Sequence, residues 1–115
     1  MILGQGIDIV EVKRIKEAIE RQGEAFIKRV FTPDEIAYIK KYKFPYPHYA
    51  GRFAAKEAIF KAMGNPKLSW QDMSIVNDKA GQPVCHYSDK NFKHRILISI
   101  SHEKNYAVAS AIIEA

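Results

Sequence analysis

The sequence predicts an α+β fold in one domain, with an antiparallel sheet packed against helices. Three observations predict it. A β-branched segment opens the chain, amphipathic periods with clear start and stop signals fill its middle, and alternating apolar strands close it. At 115 residues the chain can bury roughly two-thirds of its unfolded surface, enough for one core.

The elements follow in order. Ile2 to Val10 is short, apolar and β-branched, and reads as a buried strand interrupted by Gly4, Gly6 and Asp8. Val12 to about Gln22 reads as an amphipathic helix with Val12, Ile15, Ala18 and Ile19 as its apolar stripe and Gly23 as its stop. Its basic residues Lys13, Arg14, Lys16 and Arg21 lie mainly off that stripe. Glu24 to Val30 continues as a short helix. Thr32-Pro33-Asp34-Glu35 supplies an N-cap, a proline at the first helical position and a capping box, so a helix runs from there to about Lys41. Lys43-Phe44-Pro45-Tyr46-Pro47 breaks it. A longer helix spans about Tyr49 to Met63 and stops at Gly64-Asn65-Pro66. Ser74–Asn77 and Pro83–Tyr87 read as strands joined by an Asp78-Lys79-Ala80-Gly81 turn. Arg95–Ser101 and Tyr106–Ile113 are strands joined by a short polar turn.

Composition narrows the class. Apolar residues make up 47% and charged residues 27%, values of an ordinary globular domain and not of disordered or collagen-like chains. No apolar run approaches the roughly 20 residues needed to cross a bilayer. The N-terminus has no basic region, and Asp8 interrupts its apolar stretch, so a secretory signal is not expected and the cytoplasm is the expected location. Cys85 is the single cysteine, which excludes an internal disulfide and a cysteine-based zinc site. Lys and Arg number 18 against 13 Asp and Glu, a formal charge of +5. That excess points to an anionic partner: nucleic acid, a phosphorylated small molecule or an acidic protein.

Three features carry chemistry. Asp8 sits inside an apolar strand, where an ionised carboxylate must be paired, hydrogen-bonded or bound to a metal unless alternation turns it to solvent. Glu57 lies in a helix that is apolar nearly all round, with Phe53 and Lys61 at i−4 and i+4. The plain alternative for Glu57 is an ordinary helical pair with Lys61. Two carboxylates without a cysteine or histidine pair favour a hard cation such as Mg²⁺, which completes its octahedron with water and phosphate oxygens. Finally, in Ser99-Ile100-Ser101-His102 the two serines share a face and His102 enters the turn, where an imidazole can bind an anion or simply lie at the surface. There is no Walker phosphate loop, no dinucleotide fingerprint and no nucleophile elbow.

Taken together, Gly6-Ile7-Asp8-Ile9-Val10, Arg52-Phe53-Ala54-Ala55-Lys56-Glu57-Ala58 with Lys61-Ala62-Met63-Gly64, and Ser99-Ile100-Ser101-His102 with Tyr106-Ala107 resemble the holo-(acyl carrier protein) synthases. These are the short bacterial type of the 4′-phosphopantetheinyl transferase family. The resemblance runs over almost the whole chain; one departure is the short loop Asn65-Pro66-Lys67-Leu68-Ser69-Trp70. It implies that coenzyme A donates its 4′-phosphopantetheine arm to a serine of apo acyl carrier protein, with Mg²⁺ as cofactor and adenosine 3′,5′-bisphosphate as the leaving product. It implies that Asp8 and Glu57 hold the metal and that Lys61 offsets charge on the bridging or leaving oxygens. The resemblance further implies that the serine's proton would go to Glu57 or to a metal-bound water. Arg52, Lys61, Gly64 and His102 match positions around the coenzyme phosphates. Arg14 and Arg21 match a docking edge for the acidic carrier, and the resemblance implies a homotrimer with the active site between subunits. Neither a nucleic acid nor a membrane is an expected partner.

Two other readings use the same charge. A small nucleic-acid-binding module would employ the basic residues with Tyr42, Phe44, Tyr46 and Tyr49. The carboxylates inside the best-ordered elements speak against it. A coenzyme A-binding regulatory domain without catalysis would bind and not turn over.

Overall fold

The computed structural model describes residues 1–65 and 67–115. Strand β1 (Ile2–Glu11) is followed by helices α1 (Val12–Gln22), α2 (Glu24–Val30), α3 (Pro33–Ile39) and α4 (Tyr46–Met63). Strands β2 (Met73–Asn77), β3 (Pro83–Tyr87), β4 (Arg95–His102) and β5 (Tyr106–Glu114) complete the chain. One antiparallel sheet has the order β1-β5-β4, and β2 and β3 form an antiparallel hairpin. The expected α+β architecture is what the chain adopts.

Helix α4 organises the rest. Ala50, Ala54, Ala55, Ala58 and Ile59 are fully buried, and a row of alanines both favours helix and lets neighbours approach. Against it pack Ala109, Ala111 and the flanking isoleucines of the large sheet, with Met73 and Ile75 of the hairpin. A second cluster joins Val12 and Ile15 of α1, Phe26 and Val30 of α2, Phe31, Ile39 of α3, and Tyr49.

Several boundaries differ from expectation for local reasons. Helix α4 begins at Tyr46, not Tyr49, because Pro47 falls at its second position, where a missing N–H costs nothing. Helix α3 ends at Ile39 rather than near Lys41. Gly64 ends α4 in the left-handed conformation at φ 62° and returns its N–H to Phe60 O. The proline of the expected Gly64-Asn65-Pro66 stop lies outside the described residues. The capping box of α3 is present, with Glu35 N donating to Thr32 Oγ1 and Thr32 N donating to Glu35 Oε1.

Strand β1 is buried on one face only, which corrects the expectation of a fully buried strand. Ile7 and Ile9 point away from α4 and are 64% and 65% exposed. Gly4, Gly6, Asp8 and Val10 alternate toward α4. A Cβ on Gly4 would lie 2.1 Å from Ala62 O, and one on Gly6 would lie 2.1 Å from Ala58 O. Only glycine fits there, so backbone touches backbone and Asp8 is drawn against the helix. Gly6→Ala is therefore expected to destabilise the fold by about 1–3 kcal/mol, as overpacking does, and to shift Asp8 from its place against α4. Urea denaturation checks the first effect; a variant as stable as the wild type would contradict this packing. No described helix is long and apolar enough to cross a membrane.

Candidate active site

The structure brings Asp8, Glu57 and Lys61 together from β1 and α4. Lys61 Nζ donates to Ile7 O at 3.0 Å and to Asp8 Oδ1 at 3.3 Å. The Asp8 side chain is only 16% exposed, whereas that of Lys61 is 55% exposed. Lys61 pairs across the fold with Asp8 and is not among the ion pairs of Glu57, so the simple i,i+4 helix pair is not what forms. Strand alternation turns Asp8 inward and not to solvent.

Glu57 is half-buried beside them. Burial is the main influence raising its carboxyl above the ordinary range; the charge of Asp8 adds to this and Lys61 opposes it. Two carboxylates that repel each other next to one cation form a place where a divalent ion would relieve strain. Among the described residues no group of three or more His, Cys, Asp and Glu could hold a metal. A cation here would thus depend on oxygens from a ligand, as Mg²⁺ sites built on one or two carboxylates do.

Arg52 lies five residues before Glu57 and is 4% exposed. One terminal nitrogen donates to Asn77 Oδ1, and the guanidinium sits over the Tyr38 ring at 4.5 Å. Burial lowers its proton affinity, with partial compensation from Tyr38 and Glu35. Asn77 and Tyr38 were not singled out by the sequence. Asn77 reads locally as the end of a strand, and only the fold carries it to α4. Its amide also donates to Gly81 O, which ties Arg52 to the β2–β3 turn.

His102 ends β4 opposite Ala107 of β5, and its ring is near α4, where it would touch a Cβ placed on Gly51. Gly64 stands at the other end of α4, twelve residues or about 18 Å along the axis from Arg52. Of the residues expected around the coenzyme phosphates, Arg52, Lys61 and Gly64 are spread along α4 and its end, and His102 reaches toward α4 from β4. Arg14 and Arg21 are exposed on α1, which leaves β1 only three residues after Asp8. Lys13 of that helix is paired with Glu17 at 3.9 Å.

A relative from Thermodesulfovibrio yellowstonii, a holo-[acyl-carrier-protein] synthase, is 46% identical over 114 residues, covering 98% of this chain and 99% of its own. A holo-(acyl-carrier-protein) synthase from Bacillus anthracis, solved in complex with CoA (3′,5′-ADP), superposes with a TM-score of 0.88 at 37% identity. That match covers 100% of this chain and 98% of the other. The Helicobacter pylori holo-[acyl-carrier-protein] synthase, solved with coenzyme A, gives a TM-score of 0.86 at 31% identity over 96% and 99% of the two chains. The family model described as the 4′-phosphopantetheinyl transferase superfamily matches residues 4–111, and the chain belongs to that family.

Proposed function

We infer that the protein transfers the 4′-phosphopantetheine arm of coenzyme A to a serine of apo acyl carrier protein. The observation that carries this reading is the meeting of Asp8, Glu57 and Lys61 at the β1–α4 seam, in a chain whose relatives bear that name over their full length. The serine oxygen bonds to the β-phosphorus, the bond from that phosphorus to the bridging oxygen breaks, and adenosine 3′,5′-bisphosphate departs with the electron pair.

Asp8 and Glu57 would hold a divalent cation, Mg²⁺ by their hard oxygen chemistry, and such an ion, when bound, neutralises the diphosphate and orients its oxygens. Lys61 is held by Ile7 O, which keeps its ammonium at the site to meet negative charge on the leaving oxygens. Glu57, whose proton affinity is raised by burial, is assigned the serine's proton. Arg52 and Gly64 of α4 and its end, with His102 of β4, are assigned to the coenzyme.

The exposed basic edge of α1 suits an acidic carrier, where charge complementarity speeds encounter and fixes register. Arg14→Ala is expected to raise the KM for the carrier about fivefold, with little change in the KM for coenzyme A. Steady-state kinetics with each substrate varied would check this; an unchanged carrier KM would remove Arg14 from the docking face. Ile7 and Ile9 on the open sheet face support self-association, for which we propose a homotrimer. Light scattering reads its mass.

Mass spectrometry of an apo carrier incubated with the protein and coenzyme A tests the main reading. The carrier should gain the arm, and chelator should stop the gain until Mg²⁺ is restored. No gain with several carriers and divalent metals would overturn it.

A further inference from the structure

Helix α1 begins without the devices that begin α3. Its N-cap residue Glu11 makes no side-chain cap hydrogen bond, and its first turn carries no acidic residue, whereas α3 has both. An uncapped start leaves N–H donors and a partial positive charge unmet. Here the first donor is met from outside the helix. Val12 N donates to Asn105 O, in the turn between β4 and β5, at 2.9 Å. Beside that bond Glu11 pairs with Tyr106 at the end of the sheet, and Val12 shares a buried cluster with Ala107.

One side chain holds that turn in shape. Glu103 Oε1 accepts from Asn105 N at 3.0 Å and from Tyr106 N at 2.8 Å, and Glu103 N donates to Tyr106 O at 2.9 Å. Asn105 C=O and Tyr106 N–H belong to the same planar peptide unit and point in opposite directions. Fixing the N–H on the Glu103 carboxylate therefore aims the carbonyl at Val12. Hydrogen bonds to an ionised carboxylate are stronger than neutral ones, and a chain of such bonds polarises each member. Glu103 is exposed and takes part in none of the ion pairs among the described residues. Its carboxylate serves the backbone of its own turn and, through one peptide, the start of α1.

We propose that Glu103 is a positioning residue for recognition of the acidic carrier: by orienting the Asn105–Tyr106 peptide it caps α1 from outside and sets the direction in which Arg14 is presented. The proposal rests on the transferase reading above and on the docking edge assigned to α1. Arg14 is the third residue of α1, inside the turn that the Asn105 carbonyl anchors. A guanidinium fork matches a carboxylate only in a defined geometry, so a frayed first turn loses complementarity although Glu103 itself touches no carrier. Arg21 lies seven residues, about 10.5 Å of axial rise, beyond Arg14, which places it outside the reach of fraying at the start. Charge gives the proposal a definite sign. Removing a negative group near a basic edge would by itself strengthen the hold on an acidic partner, so a weakened hold separates positioning from bulk charge.

The test compares wild type, Glu103→Ala, Glu103→Gln, Arg14→Ala and the double variant of Glu103→Ala with Arg14→Ala. In steady-state transfer, Glu103→Ala should raise the KM for the carrier about fivefold, as Arg14→Ala does, with kcat and the KM for coenzyme A within about twofold of wild type. Glutamine keeps an acceptor oxygen at the same reach, so Glu103→Gln should recover most of the loss. Because Glu103 acts through Arg14, the two losses should not add, and the double variant should show the carrier KM of Arg14→Ala alone. By hydrogen exchange, the Val12 amide should exchange faster in Glu103→Ala while the amides of β5 keep their protection. An unchanged carrier KM in Glu103→Ala, an equal rise for coenzyme A, a Glu103→Gln as impaired as Glu103→Ala, full additivity with Arg14→Ala, or an unmoved Val12 amide would overturn the proposal. Wild-type protein that transfers no arm defeats the function reading instead; wild type that transfers while Glu103→Ala keeps its carrier KM defeats the assignment of Glu103 alone.

Discussion

Glu57→Gln is expected to lower kcat for arm transfer by about a thousandfold, the scale of losing a group aimed at developing charge, while the fold melts at the same temperature or higher at pH 7. Both halves come from one cause. Burial and Asp8 raise the proton affinity of Glu57 in the folded chain. The folded state therefore holds that proton more tightly than the unfolded chain does. Stability falls as pH rises from the ordinary carboxylate range through the raised value, and above it the full cost of ionising Glu57 stands. Glutamine has the same shape and no charge, so the cost disappears along with the carboxylate oxygen proposed to accept the proton and hold the metal. Single-turnover transfer and thermal melting measured on the same preparation check both effects. Activity within tenfold of wild type would contradict the role of Glu57, and a clear drop in melting temperature would contradict the electrostatic account.

Lys56→Met should be the most damaging change for stability, with an expected loss of about 3–5 kcal/mol in urea denaturation. Lys56 and Glu35 are both fully buried, with Nζ 2.7 Å from Oε1. The lysine also donates to Val30 O at 2.8 Å and Trp70 O at 3.0 Å. Removing it strands an ionised Glu35 with only the N–H groups of Thr32 and Ile75 and leaves two carbonyls short of a donor. The damage spreads because this one ammonium joins α4 to α3, to the end of α2 and to the segment before β2. A loss below about 1 kcal/mol would show that the pair is replaceable by packing alone.

That hub illustrates what the sequence leaves hidden. Thr32 and Glu35 read at once as a capping box, because capping is a contact over three residues. Nothing local reveals that the same Glu35 carboxylate also serves Lys56 and Ile75, since those partners lie 21 and 40 residues away. The strands and helices were legible from periodicity, and the hairpin strand Pro83–Tyr87 appears with its expected ends. The opening strand reads as buried because Ile7 and Ile9 look like core residues by type, whereas both are exposed on its open face. The candidate site follows the same division. Asp8, Glu57 and Lys61 stand out as charges inside apolar elements, and the fold joins them. Asn77 and Tyr38, which hold Arg52, carry no such signal.

The glycine seam between β1 and α4 has a bearing on how the proposed reactive centre ages in evolution. Its spacing is gauged by main chain against main chain, with Gly4 and Gly6 leaving no room for even one added carbon. Side chains elsewhere in the interior can drift, provided the strand and the helix keep their mutual offset as rigid bars. The calibration of Asp8 against Glu57 is thereby insulated from most of the interior and exposed at two positions, where the smallest enlargement unseats it.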